Sequence, residues 1–233
     1  MVAVDALGPD VHGRAVGPGT FRVLIVEDHP LVCHGYEMLL RQRPHLLVCG
    51  TASGATEALQ AAHDCRPHLA LVDLSLKEGS GLELIKALRQ QFPEVKVLTV
   101  STHDDRLFAQ RVLTAGSSGF VNKQTASEDL LRAIDRVLDG GICLSDEMSR
   151  RISNSLADGK SSQELSPIEK LSNRELEAFE MIGNGLTTRQ IAERMSVSPK
   201  TVERYRENIK HKLNLASAVE LVRCSTQWVL EKR

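Results

Sequence analysis

Five residues far apart in the chain, Glu27, Asp28, Asp73, Ser101 and Lys123, are of the types that together could handle a phosphoryl group. Asp73 closes the apolar run of "HLALVDLSLKEG", where Leu69 to Val72 lead straight into a carboxylate. Clustered carboxylates repel one another and call for a hard divalent cation. Mg2+ suits them because it keeps waters and accepts a phosphate oxygen as a ligand. A carboxylate can also attack phosphorus as a nucleophile, forming an aspartyl phosphate. The metal and a lysine would then offset the charge on the phosphoryl oxygens, and a serine hydroxyl would hydrogen-bond one of them. On this chemistry Asp73 is the phosphoacceptor and the two acids Glu27 and Asp28 hold the metal.

Such a set needs a scaffold that brings distant residues to one point. Apolar runs read as strands at "FRVLIV" (21–26), "LLVCGTA" (46–52), "LALV" (69–72), "VKVLTVS" (95–101) and "SGFVN" (118–122), with helical patterns between them. Five such β/α units predict an α/β fold with a doubly wound, five-stranded parallel sheet. Glu27 and Asp28 follow the first strand, Asp73 the third, Ser101 and Thr102 close the fourth, and Lys123 follows the fifth. All fall on the carboxyl rim, where open parallel sheets carry their chemistry. Each residue alone has an ordinary explanation as a helix start, a cap or a solvated loop charge. Their common rim asks for one explanation of all five. The last helix of this unit is expected to start at a capping box, Thr125-x-x-Glu128, and to end near Asp139 before two glycines.

The 233 residues, 42% apolar, suffice for two ordinary domains with packed cores. No run approaches a membrane span, and residues 1–20 are rich in Gly and Pro without periodicity, so the expectation is a disordered tail on a cytoplasmic protein. Five cysteines, Cys33, Cys49, Cys65, Cys143 and Cys224, are never paired as CxxC, which suggests single packed thiols rather than disulfides or zinc. The net charge of -1 divides unevenly: from Glu169 onward 12 Lys and Arg face 9 Asp and Glu, against 17 and 21 before it. A basic C-terminal part is expected to meet a polyanion. The expected organisation is a tail (1–20), an α/β domain (21–140), a linker (141–168) and an all-α domain (169–233). Within the linker, "SDEMSRRISNSL" reads as a helix and "ADGKSSQELSP" as flexible chain.

The C-terminal part carries its own start signals. Capping boxes at Ser172-x-x-Glu175 and Thr187-x-x-Gln190, then Ser198 and Pro199 as cap and first helical residue, mark three short helices. The "SVS" turn between the second and third has the length of a helix-turn-helix. On the third helix Val202, Tyr205, Ile209 and Leu213 share one side, leaving Lys200, Glu203, Arg204, Glu207, Lys210 and His211 on the other. Arginine can grip guanine in a bidentate manner and glutamate can accept from the cytosine amino group.

From about Phe21 to Asp139 the chain resembles a response regulator receiver domain, in "VEDHP", "VDLSL", "VSTHDD" and "GSSGFVNK" at the four strand ends. The resemblance implies a flavodoxin-like receiver in which Asp28 coordinates Mg2+ directly, Glu27 supports it through water and Asp73 completes the metal set as the phosphorylation site. It makes Ser101 the switch hydroxyl, Phe120 the aromatic that changes rotamer with it, and Lys123 the phosphate-binding lysine. Glu27 stands for the commoner aspartate, and Lys77 stands where proline is frequent, which bears on the rigidity of that loop. From about Leu171 to Leu230, "LSNRELE" and "TTRQIAERMSVSPKTVERYRENIKHKL" resemble the LuxR-type helix-turn-helix. The two together resemble the NarL/FixJ family of transcriptional regulators. This second resemblance puts Glu203, Arg204 and Glu207 at base-reading positions and Lys200, Thr201, Lys210 and Lys212 on the DNA backbone. The last helix, about Ala216 to Leu230, would carry the dimer contact, with Trp228 either there or in the core. The implied partners are a histidine kinase, DNA and a second copy of the chain, and the implied class is a regulator, not an enzyme.

Two other readings remain in view. An aspartyl-phosphate hydrolase of the haloacid dehalogenase type also begins from a strand-end aspartate, but it wants a second aspartate where Ser75 stands. A regulator whose receiver serves only to dimerise would not need the acid pocket.

Overall fold

The computed structural model describes residues 19–76, 80–102, 105–146, 148–150 and 167–231, without the side chains of 105–107 and 169. Lys77, residues 1–18 of the tail and residues 151–166 of the linker lie outside them. The chain divides into two compact units, Met1–Asn154 and Ser155–Arg233.

In the first unit the strands are β1 (Phe21–Val26), β2 (Leu46–Ala52), β3 (Leu69–Val72), β4 (Lys96–Ser101) and β5 (Gly119–Asn122). All pair in parallel, in the order β2-β1-β3-β4-β5. β1 and β3 are near-continuous apolar runs because both faces of an interior parallel strand are covered. The helices are α1 (Pro30–Leu40), α2 (Ala55–Cys65), α3 (Gly81–Gln91), α4 (Asp105–Ala115) and α5 (Ser127–Leu138). α1 and α5 pack together on one face, where Val23, Ile25, Leu71 and Val100 meet Leu40, Leu131 and Ile134. α2, α3 and α4 pack in series on the other.

β4 and β5 each begin one residue later than the sequence pattern suggests, at Lys96 and Gly119. The α5 capping box does not form: the helix starts at Ser127, and its cap residue, Ala126, makes no side-chain cap bond. A tight turn comes first. The Thr125 N–H donates to the Asn122 carbonyl at 2.9 Å, so Thr125 closes the turn after β5 and the helix start moves one residue on. Glu128 and Asp129 still sit in the first turn, where they favour the helix dipole. In the linker, residues 146 and 148–150 are helical.

The second unit opens with a 3-10 turn (Pro167–Lys170) and holds four helices among the described residues: α6 (Asn173–Gly183), α7 (Thr188–Arg194), α8 (Pro199–Leu213) and α9 (Ala218–Leu230). Both capping boxes form, Ser172 with Glu175 and Thr187 with Gln190, and Ser198 caps α8 with Pro199 at its first position. Ser196 takes the left-handed conformation in the turn between α7 and α8. Val202 and Ile209 are buried while Tyr205 and Leu213 are half-buried, as the helical pattern of α8 predicts. Trp228, half-buried, packs its ring on Phe179 of α6, centroids 5.4 Å apart.

Glu175 is 4% exposed and does two things at once. Its Oε2 accepts from the Ser172 N–H at 2.7 Å and from Lys212 Nζ at 2.6 Å, so the start of α6 is tied to the end of α8. Burial pushes the Glu175 carboxyl up, but Lys212 and the Ser172 donors outweigh it and hold its pKa below the ordinary value. Stability from this carboxylate is therefore present above its unfolded pKa of about 4.3 and is lost as pH falls through the lower folded pKa. Lys212→Met leaves the buried carboxylate without its cation and should cost the second unit about 1–3 kcal/mol at pH 7. Urea unfolding checks this; an unchanged midpoint would contradict it.

Candidate functional site

The rim residues are positioned by the ladder itself, whose hydrogen bonds run one residue past several strands. The Glu27 N–H donates to the Ala52 carbonyl at 2.9 Å, Asp73 to Val26 at 3.0 Å, and Lys123 to Ser101 at 2.9 Å. Each backbone is thus held in register while its side chain leaves the sheet edge. Gly81 opens α3 directly against this edge. A Cβ there would lie 2.2 Å from the Asp73 carbonyl oxygen and 2.6 Å from Leu74 Cα, so only glycine lets the helix approach Asp73 so closely.

Lys123 bonds directly to two of the acids. Lys123 Nζ lies 2.6 Å from Glu27 Oε2 and 2.8 Å from Asp73 Oδ2. Glu27, Asp28 and Asp73 are all buried, and the Lys123 side chain is 14% exposed. Burial alone would disfavour the ammonium, but Asp73 and Glu27 outweigh it and raise the lysine pKa. Asp73 Oδ1 is buried and has no hydrogen-bond partner among the described residues. Ser101 is fully buried at the end of β4, and Phe120 is buried on β5.

One residue that sequence reasoning passed over joins this group. His29, the cap residue of α1, is largely exposed and places Nδ1 3.0 Å from Glu27 Oε1 and 2.8 Å from Asp28 Oδ1. Its N–H also donates to Glu27 Oε1 at 3.1 Å. Ligand atoms of Glu27, Asp28, His29 and Asp73 all lie within 4.8 Å of one another. Hard carboxylate oxygens with one buried, unsatisfied Asp73 oxygen fit a divalent cation of the Mg2+ kind. The only signal for His29 in the sequence is its adjacency to the two acids.

On α8, Lys200, Glu203, Arg204, Glu207 and His211 are exposed. Thr201 is half-buried, its N–H accepted by Ser198 Oγ at 3.1 Å. Glu203 accepts from the Thr188 hydroxyl of α7 at 2.8 Å, and Lys210 pairs with Glu207 at 2.9 Å. Lys212, expected on the DNA backbone, pairs with Glu175 at 2.6 Å while its side chain stays 36% exposed.

Each unit has a recognisable counterpart. Residues 23–135 match the response regulator receiver domain, and residues 169–225 match the bacterial regulatory proteins of the luxR family. A receiver joined to such a helix-turn-helix makes the chain a DNA-binding response regulator. It is 32% identical over 217 residues to the oxygen regulatory protein NreC of Staphylococcus epidermidis, covering 91% of this chain and 98% of that protein. The NreC of Staphylococcus haemolyticus is 33% identical over 216 residues, with the same coverage. Among solved structures, RcsB of Salmonella enterica serovar Typhimurium, bound to promoter rprA in the presence of the phosphomimetic BeF3-, aligns with a TM-score of 0.59 at 25% identity. That alignment covers 88% of this chain and 97% of RcsB. A LuxR-family two-component response regulator from Aurantimonas sp. aligns with a TM-score of 0.55 at 30% identity over 59% of this chain and 99% of that one. The chain belongs to the NarL/FixJ family of two-component response regulators, transcription regulators that are not an enzyme class. Among the described residues no helix is long and apolar enough to cross a membrane.

Proposed function

We propose that Asp73 takes a phosphoryl group from a histidine kinase and that the added charge controls DNA binding by the C-terminal unit. The observation that carries this is the state of the Asp73 carboxylate: Oδ2 is held by Lys123 while the buried Oδ1 has no partner among the described residues. An Asp73 oxygen attacks the phosphorus of a phosphohistidine, the P–N bond breaks, and the electron pair returns to the imidazole nitrogen. Mg2+, when bound, supplies positive charge beside the transferred group. Asp28 and Asp73 would hold it, with Glu27, whose oxygens already serve His29 and Lys123, in support. Lys123 offsets charge on a phosphoryl oxygen and Ser101 donates its hydroxyl to another.

The phosphorylated and free states must differ in what they offer the DNA-binding unit. We assign that difference to Ser101, drawn toward the phosphoryl group, and to Phe120, three residues before Lys123, which turns into the space Ser101 vacates. In the second unit Glu203, Arg204 and Glu207 read base edges, with Lys200, Thr201 and Lys210 on the backbone. Lys212, which also holds α8 to Glu175, joins them on the backbone. A homodimer would place two recognition helices roughly 34 Å apart on an inverted repeat. The RcsB complex with promoter DNA in the presence of a phosphomimetic supports this reading. We take 21–140 as the receiver, 141–168 as the linker and 169–233 as the DNA-binding domain of a cytoplasmic protein.

Incubated with Mg2+ and acetyl phosphate, the chain should gain one phosphate by intact mass, and Asp73→Asn or removal of Mg2+ by a chelator should abolish the gain. Uptake at an equal rate in either case would show the site to be elsewhere. On operator DNA recovered by selection from a random pool, Arg204→Ala should cost about 1–3 kcal/mol of binding and little on unselected DNA. Equal losses on both would remove Arg204 from the base-reading set.

A further inference from the structure

Two cysteines that lie 16 residues apart in sequence meet in the fold. Cys49 Sγ on β2 lies 2.8 Å from Cys65 Sγ at the last residue of α2. The contact is built rather than incidental, because the β1–β2 register skips one residue there. Val23 pairs with Val48 and Leu24 with Gly50, which leaves Cys49 as the extra residue of a bulge. Bulges are uncommon between parallel strands, and they re-aim a side chain.

Cys65 is fixed from the other side by Arg22 of β1. The Arg22 guanidinium donates Nε–H to the Cys65 carbonyl at 2.9 Å and Nη2–H to the Arg66 carbonyl at 2.7 Å, anchoring the end of α2. The hydrogen bond from the Cys49 thiol holds the Cys65 pKa down, and the Arg22 charge adds to this against burial and Asp64. Burial pushes the other three thiols, Cys33, Cys143 and Cys224, up. Cys65 is thus the favoured attacking sulfur and Cys49, in contact with it, the resolving thiol.

We propose that Cys49 and Cys65 are a peroxide-oxidisable pair that closes to a disulfide between the edge strand β2 and the end of α2. The Cys65 thiolate attacks one oxygen of hydrogen peroxide, the O–O bond breaks, and hydroxide leaves, giving a sulfenic acid on Cys65. Cys49 sulfur then attacks Cys65 sulfur. The S–O bond breaks, and the Cys49 proton leaves with the hydroxyl as water. Two thiols have lost two electrons and peroxide has become two waters; a dithiol reverses the change by exchange. The pair stands apart from the acidic rim and is independent of the phosphotransfer reading.

The full chain, exposed to stoichiometric hydrogen peroxide and then alkylated without reductant, should take up three alkyl groups, on Cys33, Cys143 and Cys224. Dithiothreitol should restore uptake to all five, and peptide mapping should find Cys49 linked to Cys65. Cys49→Ser should stop the reaction at the Cys65 sulfenic acid, trapped by dimedone, whereas Cys33→Ser/Cys143→Ser/Cys224→Ser should still form the link. Five alkylations after peroxide, a link through any other cysteine, or dimedone labelling spread evenly over the Cys49→Ser protein would overturn the proposal.

Discussion

A single ammonium group governs the acidic rim. Glu27, Asp28 and Asp73 come from the ends of adjacent strands β1 and β3, and three buried carboxylates at that spacing repel one another strongly unless a cation stands among them. Lys123 supplies it from β5, two strands from β3, a separation of roughly 10 Å at ordinary strand spacing. Only a long side chain crosses that distance, and it does so past the end of β4, where Ser101 lies. The backbone bond from Lys123 to Ser101 fixes where the stem begins, and the tight turn closed by Thr125 fixes where it leaves the sheet. Any change of charge on Asp73 therefore acts on a residue rooted in β5, three positions from Phe120.

The second unit rests on a comparable arrangement. A buried carboxylate, Glu175, is satisfied by Lys212 and by the backbone at the start of α6, so α8 is braced by a charge at its C-terminal end. In both units a lysine placed near the end of the module's functional element neutralises a buried acid donated by another element. Charge balance, as well as apolar burial, fixes the geometry on which function depends.

Much of this was legible in the sequence, for physical reasons that differ by feature. Interior parallel strands are apolar on both faces, so "LALV" and "FRVLIV" declare themselves and place Glu27, Asp28 and Asp73 on one rim, which the ends of β4 and β5 extend to Ser101 and Lys123. The helix starts at Ser172, Thr187 and Ser198 are equally plain, because a capping bond is local. The same logic failed at Thr125, whose amide the turn after β5 uses first. Contacts across long sequence separations were not legible. Lys212 reads as one more basic residue of a DNA-facing helix until Glu175, 37 residues away, is seen beside it. Cys49 and Cys65 read as isolated packed thiols, since a bulge that shifts register by one residue leaves no mark in an apolar run.

Control of DNA binding by the receiver requires that charge at Asp73 be felt by the DNA-binding unit. The most direct measurement is the affinity of the full chain for selected operator DNA, by fluorescence anisotropy in Mg2+ with and without acetyl phosphate, alongside its mass in solution. Phosphorylation should tighten binding by about tenfold or more, equivalent to about 1.4 kcal/mol, with a shift from monomer to dimer. Identical isotherms and masses for the phosphorylated and unphosphorylated chain would contradict such control.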